Sequence, residues 1–393
     1  MTETRQAPGT GAPYDILLVY SFSRVHAHYL NIVRALSGAL RVGVYLSPAA
    51  RRSERGHRLA KLAETERTFI DTLAEAGAEL VDGPCETRLL VFPNNGLSGE
   101  YVREVAAAVR HHRVVGFECF GYGPQLLDVL RDVGARRFFV FDREIFGHKL
   151  DTPEKRELAA SVDVVEMGSP CLRHPAFDLP PVDYVVALPT QLLLGGWPNR
   201  RRFLRNMESL LGQISPADSV VLKFHNVRDG GNRYFRERVG RMDGLMSAAS
   251  GAAWAVAGLL DALPGASGLA AKFGNRANDL LFTRLARQMT PLAALTPRHN
   301  LNLELFLPHV RKGVITGIST CVWHALHAGL AVYNCDDQPF GEHLPNSSTY
   351  RSFYVPPCAG QLQFDPALRD RVSASALDAD FPALLLRELD GRA

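Results

Sequence analysis

Gly313-Val-Ile-Thr-Gly317-Ile-Ser319-Thr320-Cys321 is the stretch of this 393-residue chain best suited to chemistry. It reads as a strand, a tight turn at Gly317 and two hydroxyl residues, followed by an apolar helix over 320–329. Strand-to-helix turns in open α/β sheets lie at the carboxyl edge, where ligands bind. A helix starting there offers unpaired N–H groups and a positive dipole end, both of which favour phosphate. Ser319 and Thr320 would add hydroxyl donors to that anion. Both also suit plain N-capping, and the sequence leaves the two roles open. A second candidate is Val220-Val-Leu-Lys223-Phe-His225-Asn226, at the end of an apolar strand. Lys223 and His225 there suit a diphosphate or a nucleotide leaving group, although a single histidine serves structure more often than catalysis. The polar loop Arg228-Asp-Gly-Gly231 follows, as befits a ligand-binding edge.

The elements that must position these residues alternate regularly. Tyr14–Tyr20 is an apolar run of the kind buried on both faces of a parallel sheet. Strands at 41–46, 89–93, 114–117, 137–142 and 162–166 alternate with helices at 28–40, 54–77, 99–111 and 123–133. That rhythm predicts βαβ units in a doubly wound parallel sheet. Prolines 170, 175, 180, 181 and 189 interrupt it and mark a hinge. The rhythm resumes with a helix at 201–214, a strand at 219–224, a helix at 301–307, a strand at 313–317 and a strand at 331–334. The expected organisation is α/β with two Rossmann-like lobes: a flexible tail over 1–13, a first lobe over 14–185, a second over 186–375 and a C-terminal helix or tail over 376–393. The Gly- and Ala-rich segment 244–272 stands apart. Its charge-free part is too short to span a bilayer. It fits a packed helix pair in the second lobe, or an interfacial or subunit-contact segment flanked by Arg236, Arg238, Arg241, Lys272 and Arg276, which as an interfacial segment would touch a membrane peripherally.

The Lys223–Asn226 and Gly313–Thr320 segments together resemble the C-terminal lobe of bacterial sialyltransferases and polysialyltransferases, and are similar to that of teichoic-acid glycerophosphate polymerases. The resemblance covers about 100 residues, 220–330, and departs from the family at Asn226, where proline is usual. It implies the GT-B fold with a cleft between its lobes, and an acceptor lobe followed by a nucleotide-donor lobe. It also implies that His225, Ser319 and Thr320 hold the phosphate of the departing nucleotide. In those families the first lobe carries an acidic pair whose first member is general base. The nearest match is Asp142-Arg-Glu144-Ile-Phe-Gly147 at the end of the 137–142 strand. The chemistry needs a carboxylate that takes a proton from the acceptor hydroxyl as it attacks the anomeric carbon. Asp142 is the first candidate and Glu118 the second; each could equally be a helix cap or a surface ion pair. Glycosyltransferases of small lipophilic acceptors place a histidine base after the first strand, and His26 or His28 resembles it. The alternative for these two is a polar loop with exposed histidines.

The implied activity is metal-independent, inverting transfer of a sugar from a nucleotide donor, with a CMP-sialic-acid-type donor favoured, to a glycan or other hydroxyl acceptor in surface glycan synthesis. The alternatives are transfer of glycerol- or ribitol-phosphate from a CDP-linked donor, or an inert scaffold that binds a nucleotide sugar. No cofactor is expected, because the donor is a substrate. Asp378-Ala-Asp380 lies in the tail, too far along the chain to serve as a metal–diphosphate clamp. His324 and His327 share an apolar helix face without further ligands, which argues against zinc. Composition narrows the remaining classes. Hydrophobic residues make up 46% and charged residues 22%, a globular balance. A net charge of +3 does not supply the concentrated basic face of a nucleic-acid binder. Six scattered cysteines without a CxxC pair suggest reduced thiols. The polar N-terminus lacks the apolar core of a signal peptide, so a cytoplasmic location is expected, peripheral to the membrane if 244–272 touches it.

Overall fold

The computed structural model describes residues 12–21, 25–46, 69–94, 97–118, 124–169, 177–188, 196–223, 247–295, 303–317, 319, 321–336, 355–372 and 374–391. The chain divides into two compact units, Met1–Phe177 with Val372–Ala393 and Asp178–Arg371.

The first unit is built in the order β1 (Tyr14–Val19), α1 (His26–Leu36), β2 (Val42–Tyr45), β3 (Glu79–Val81), β4 (Cys85–Pro93), α2 (Gly99–Ala108), β5 (Val109–Phe117), α3 (Leu127–Asp132), β6 (Arg137–Val140), α4 (Arg143–Gly147), α5 (Pro153–Ala160) and β7 (Asp163–Glu166). Among the described residues these strands form one parallel sheet in the order β3-β2-β1-β4-β5-β6-β7. Ile16 to Val19 are fully buried, as an inner strand covered on both faces requires. The chain winds outward from β1 through β2 to β3, then restarts on the other side of β1 at β4. That reversal, at the carboxyl ends of β1 and β4, is where open parallel sheets bind ligands.

The second unit follows as β8 (Val182–Ala187), α6 (Trp197–Leu211), β9 (Val220–Lys223), α7 (Ser247–Asp261), α8 (Ser267–Ala286), β10 (Thr290–Pro291), α9 (Leu292–Leu295), α10 (Leu303–Phe306), β11 (Val310–Thr316), α11 (Cys321–His327) and β12 (Ala331–Asn334). Its parallel sheet, in the order β10-β9-β8-β11-β12, reverses between β8 and β11. The described residues thus form two α/β units, each with a parallel sheet and interleaved helices, as the strand–helix rhythm predicts.

The structure departs from the sequence expectation at several elements. The division falls at Phe177–Asp178, not 185–186. The expected boundary would cut β8, a short apolar strand obscured by prolines on both sides. Residues 109–111 belong to β5 rather than to the preceding helix, because Val109 is already extended and pairs with Cys85 on β4. α11 is a seven-residue helix that starts at Cys321 rather than spanning 320–329.

Finally, α12 (Ala374–Asp378) and α13 (Phe381–Asp390) belong to the first unit, not to a separate tail. Asp380 caps α13 by accepting from the Ala383 N–H at 3.2 Å, and Gly391 ends it in the left-handed conformation. Phe381 packs its ring 5.5 Å from Phe117 and 5.3 Å from Phe139. Arg137 pairs with Glu388, and Arg113 donates to the Glu388 carbonyl. Burying an aromatic ring of that kind stabilises by about 1.5–3 kcal/mol, which explains why the last helix returns to this sheet.

The 244–272 segment is a helix pair, α7 and α8, where described. Trp254 is buried and donates through Nε1 to Asn278 Oδ1 at 3.0 Å, and Asn278 donates to the Trp197 carbonyl at 2.8 Å. Gly274 lies against the Trp197 indole so closely that a Cβ there would stand 2.3 Å from the ring. A side chain would therefore pry α8 away from α6.

Candidate functional site

In the second unit, the strand order places the end of β11 next to the end of β8, at the sheet's reversal. Thr316 Oγ1 donates to the Ala187 carbonyl at 2.9 Å and ties the two strand ends together. Gly317 follows, buried, and then Ser319, half-buried. Ser319 Oγ accepts from the Cys321 N–H at 3.3 Å, so Ser319 takes part in starting α11. Lys223 closes β9 on the other side of β8 and is 5% exposed. Burial lowers its pKa, while Cys321 and Glu304 favour its charge. Lys223 and the Gly317–Ser319 bend, the two ends of the predicted phosphate site, thus share one edge. His225 and Thr320 lie outside the described residues.

Sequence reasoning missed Glu304. It sits on α10 and is 5% exposed, with Oε1 3.3 Å from His324 Nε2 on α11. Burial raises its pKa, and Lys223 partly offsets that. Burial also pushes the Cys321 thiol up to about 11, with Glu304 adding to the rise. The buried Lys223, Glu304 and His324 and the half-buried Cys321 form a polar group beside the bend. The signal was legible: a single carboxylate inside the apolar run Leu303-Glu-Leu-Phe-Leu307 must find a partner once that run is buried. His324 is held by a carboxylate, which its apolar neighbours did not foretell. Among the described residues no group of three or more His, Cys, Asp or Glu side chains is placed to hold a metal ion.

In the first unit, all four candidate bases gather at the carboxyl edge. His26 and His28 open α1 directly after β1, and both are buried. This overturns the exposed polar loop. His26 stacks on Phe69 at 4.2 Å, and His28 packs against Phe117 at 5.2 Å and Phe381 at 6.2 Å. Burial lowers the His28 pKa to about 3. The unfolded chain therefore takes up a proton on His28 near pH 6.5 that the folded chain refuses. Its stabilising contribution is full above pH 6.5 and is lost as pH falls toward 3. Between pH 6.5 and 5 the loss is about 2 kcal/mol. His28→Phe is expected to flatten that part of the stability curve, read from urea midpoints; an unchanged slope would remove His28 as its source.

Glu118 follows β5 and is fully buried, so its ion pair is not at the surface. Its Oε1 lies 3.0 Å from Lys149 Nζ, and its Oε2 accepts from the Phe141 N–H at 3.4 Å. Asp142 follows β6 and is equally buried. Its Oδ1 accepts from the Glu144 and Ile145 N–H groups at 2.8 and 3.1 Å, capping α4. Glu144, the other acid of that motif, is exposed. Burial lowers the Lys149 pKa, and Glu118 and then Asp142 work against that fall. Lys149 thus pairs with Glu118 and also feels the charge of Asp142. Lys149 had no sequence signal, because it sits in an ordinary polar turn after α4. The next strand end continues the pattern, with Glu166 Oε1 accepting from the Arg143 N–H at 2.9 Å.

No protein-family model matches the chain, and no curated protein is detectably similar to it in sequence. Among solved structures, Acinetobacter baumannii MurG is 10% identical at a TM-score of 0.36, over 96% of this chain and 98% of that one. Phytolacca americana UGT2, complexed with UDP-2fluoro-glucose and pterostilbene, is 10% identical at a TM-score of 0.39, over 97% and 99%. AtPrR2 in apo form is 15% identical at a TM-score of 0.23 over 44% of this chain, which spans only 58% of that one. Likeness at TM-scores this low assigns no activity to the chain. The candidate residues stand on the sheet edge of each unit taken by itself.

Proposed function

We propose that the protein is a nucleotide-sugar-dependent glycosyltransferase of the two-lobe GT-B kind, whose second unit binds the donor phosphate. One observation supports this above the rest: the Gly317–Ser319 bend lies at the reversal of the second sheet, with Lys223 at the neighbouring strand end. A reversal of that kind is where open parallel sheets bind ligands, and a hydroxyl with a shielded ammonium suits an anion. In this reading Lys223, His225, Ser319 and Thr320 stabilise the leaving nucleotide, so no metal is needed and transfer is a single inverting displacement. Asp142 takes the acceptor proton, with Glu118, His26 and His28 as the other bases to test. A CMP-linked acid sugar is the donor favoured by the 220–330 resemblance, with CDP-glycerol or CDP-ribitol as the alternative. A panel of CMP, CDP, UDP and GDP tests the reading, because the cognate nucleotide raises Tm by mass action. No shift with any of them would refute it.

A second reading is an inert nucleotide-sugar binder. It is favoured by the burial of all four candidate bases and by the engagement of Asp142 and Glu118 with backbone and Lys149. Nucleotide binding without donor hydrolysis would select it.

We also propose that the α7–α8 hairpin touches an anionic membrane peripherally. Leu259 is 72% exposed, Leu263 56% and Leu269 48%, beside the exposed Lys272 and Arg276. No described helix is long and apolar enough to cross a membrane. The protein is expected to sediment with anionic vesicles, and Leu259→Ser with Leu263→Ser to reduce that severalfold; equal sedimentation of both proteins would exclude the hairpin.

A further inference from the structure

Cys335 and Cys358 come from distant parts of the chain and meet at the end of β12. Asn334 and Pro357 form an isolated parallel bridge, and each cysteine directly follows one bridge partner. The Cys358 N–H donates to the Asn334 carbonyl at 2.9 Å, a bond of that bridge, so the cysteines are the next residue on each of the two paired segments. Parallel neighbours lie about 4.8 Å apart, inside the Cα separation of about 4.4–6.8 Å that a disulfide requires. Both cysteines are reduced, and the Cys335 thiol is close enough to favour the Cys358 thiolate.

Their surroundings divide the labour. Cys335 is fully buried, its N–H donating to the Thr316 carbonyl at 2.8 Å and its carbonyl accepting from Asn206 Nδ2 at 3.0 Å. Cys358 is half-buried. It precedes Ala359 and Gly360, both left-handed at φ 47° and 72°. They turn the chain back sharply, and the Gln361 N–H donates to the Cys358 carbonyl at 2.8 Å. The Cys335 thiol and the Gly360 and Gln361 N–H groups lower the Cys358 thiol to about 7, whereas burial pushes Cys85 and Cys321 up to about 11. The half-buried cysteine of the pair is therefore the activated one, and its neighbour is the fully buried thiol.

We propose that Cys335 and Cys358 are a modification site, a thiol pair that a hydroperoxide oxidises to an intramolecular disulfide. In the first step the Cys358 sulfur attacks the outer peroxide oxygen. An S–O bond forms, the O–O bond breaks, and the leaving oxygen departs as water or an alcohol with the thiol's proton. The sulfur is oxidised by two electrons to a sulfenic acid as the peroxide is reduced. In the second step the Cys335 sulfur attacks the sulfenic sulfur. An S–S bond forms, the S–O bond breaks, and hydroxide leaves as water with the Cys335 proton. Thiolate character and access select Cys358 for the first step.

The test treats the full-length protein with equimolar hydrogen peroxide, blocks remaining thiols and maps peptides by mass without reduction. The expected product has lost the mass of two hydrogens, joins the peptides carrying Cys335 and Cys358, and reverts with dithiothreitol. In Cys335→Ser, oxidation should stop at a sulfenic acid on Cys358, captured by dimedone. A link between other cysteines would overturn the proposal, as would Cys358 advancing to sulfinic acid while Cys335 stays open to alkylation. The wild-type map decides the matter if the variant fails to fold.

Discussion

Lys149→Met is expected to destabilise the first unit by about 3–5 kcal/mol, the cost of leaving a buried charge without its partner. Lys149 and Glu118 have side chains only 3% and 0% exposed and lie 3.0 Å apart. Removing the ammonium leaves Glu118 fully buried, with Asp142 nearby adding a second carboxylate. Glu118→Gln should cost less, because the amide oxygen still accepts from Lys149 and Asp142 still favours the Lys149 charge. The double variant Glu118→Leu with Lys149→Met should recover most of the loss, since apolar groups of similar volume often replace a buried pair without penalty. Chemical denaturation of the four proteins provides the readout. A Lys149→Met protein within about 1 kcal/mol of wild type, the ordinary size of a point-mutant effect, would show that the pair is not structural. Glu118 would then be easier to assign as a base that exchanges its proton.

Lys223→Met is expected to weaken nucleotide binding by about 10- to 100-fold. A hydrogen bond to a charged group contributes about 1.5–3 kcal/mol, and each 1.4 kcal/mol is about a factor of ten. Lys223 also supports Glu304, so the single variant confounds binding with stability. Lys223→Met with Glu304→Gln removes that coupling and still lacks the ammonium. The double variant should fold and should lose most of the Tm rise given by the cognate nucleotide in the wild type. If it responds to nucleotide as the wild type does, Lys223 does not face the phosphate and the donor sits elsewhere. Ser319→Ala is the milder companion, since it removes one hydroxyl but leaves the bend.

The architecture was legible because parallel strands covered on both faces must be apolar along their whole length. Ile16 to Val19 and Gly313 to Thr316 announce themselves in that way. β12 shows the same reliability, with Ala331–Asn334 both expected and observed. What escaped were elements whose signal is not local. β8 is hidden between prolines, and β3 is a three-residue edge strand with two exposed residues. The return of α13 depends on Phe381 meeting Phe117 and Phe139, three positions far apart in the chain.

Of the candidate site, the residue types and their strand-end positions could be read directly. Lys223, Ser319, Glu118 and Asp142 all follow or close a strand, and a parallel sheet sends all such residues to one edge. The chain order of strands alone could not say which of these ends become neighbours. Only the tertiary structure decided that β11 packs beside β8 and brings Ser319 to the reversal, and that Lys149 reaches back to Glu118. The same holds for burial: a histidine after β1 is polar by type, yet His28 is packed among aromatic rings and held neutral. Strand character follows from the period of the side chains. Partners, charge states and access follow from contacts between residues tens or hundreds of positions apart, and those exist only once the chain has folded.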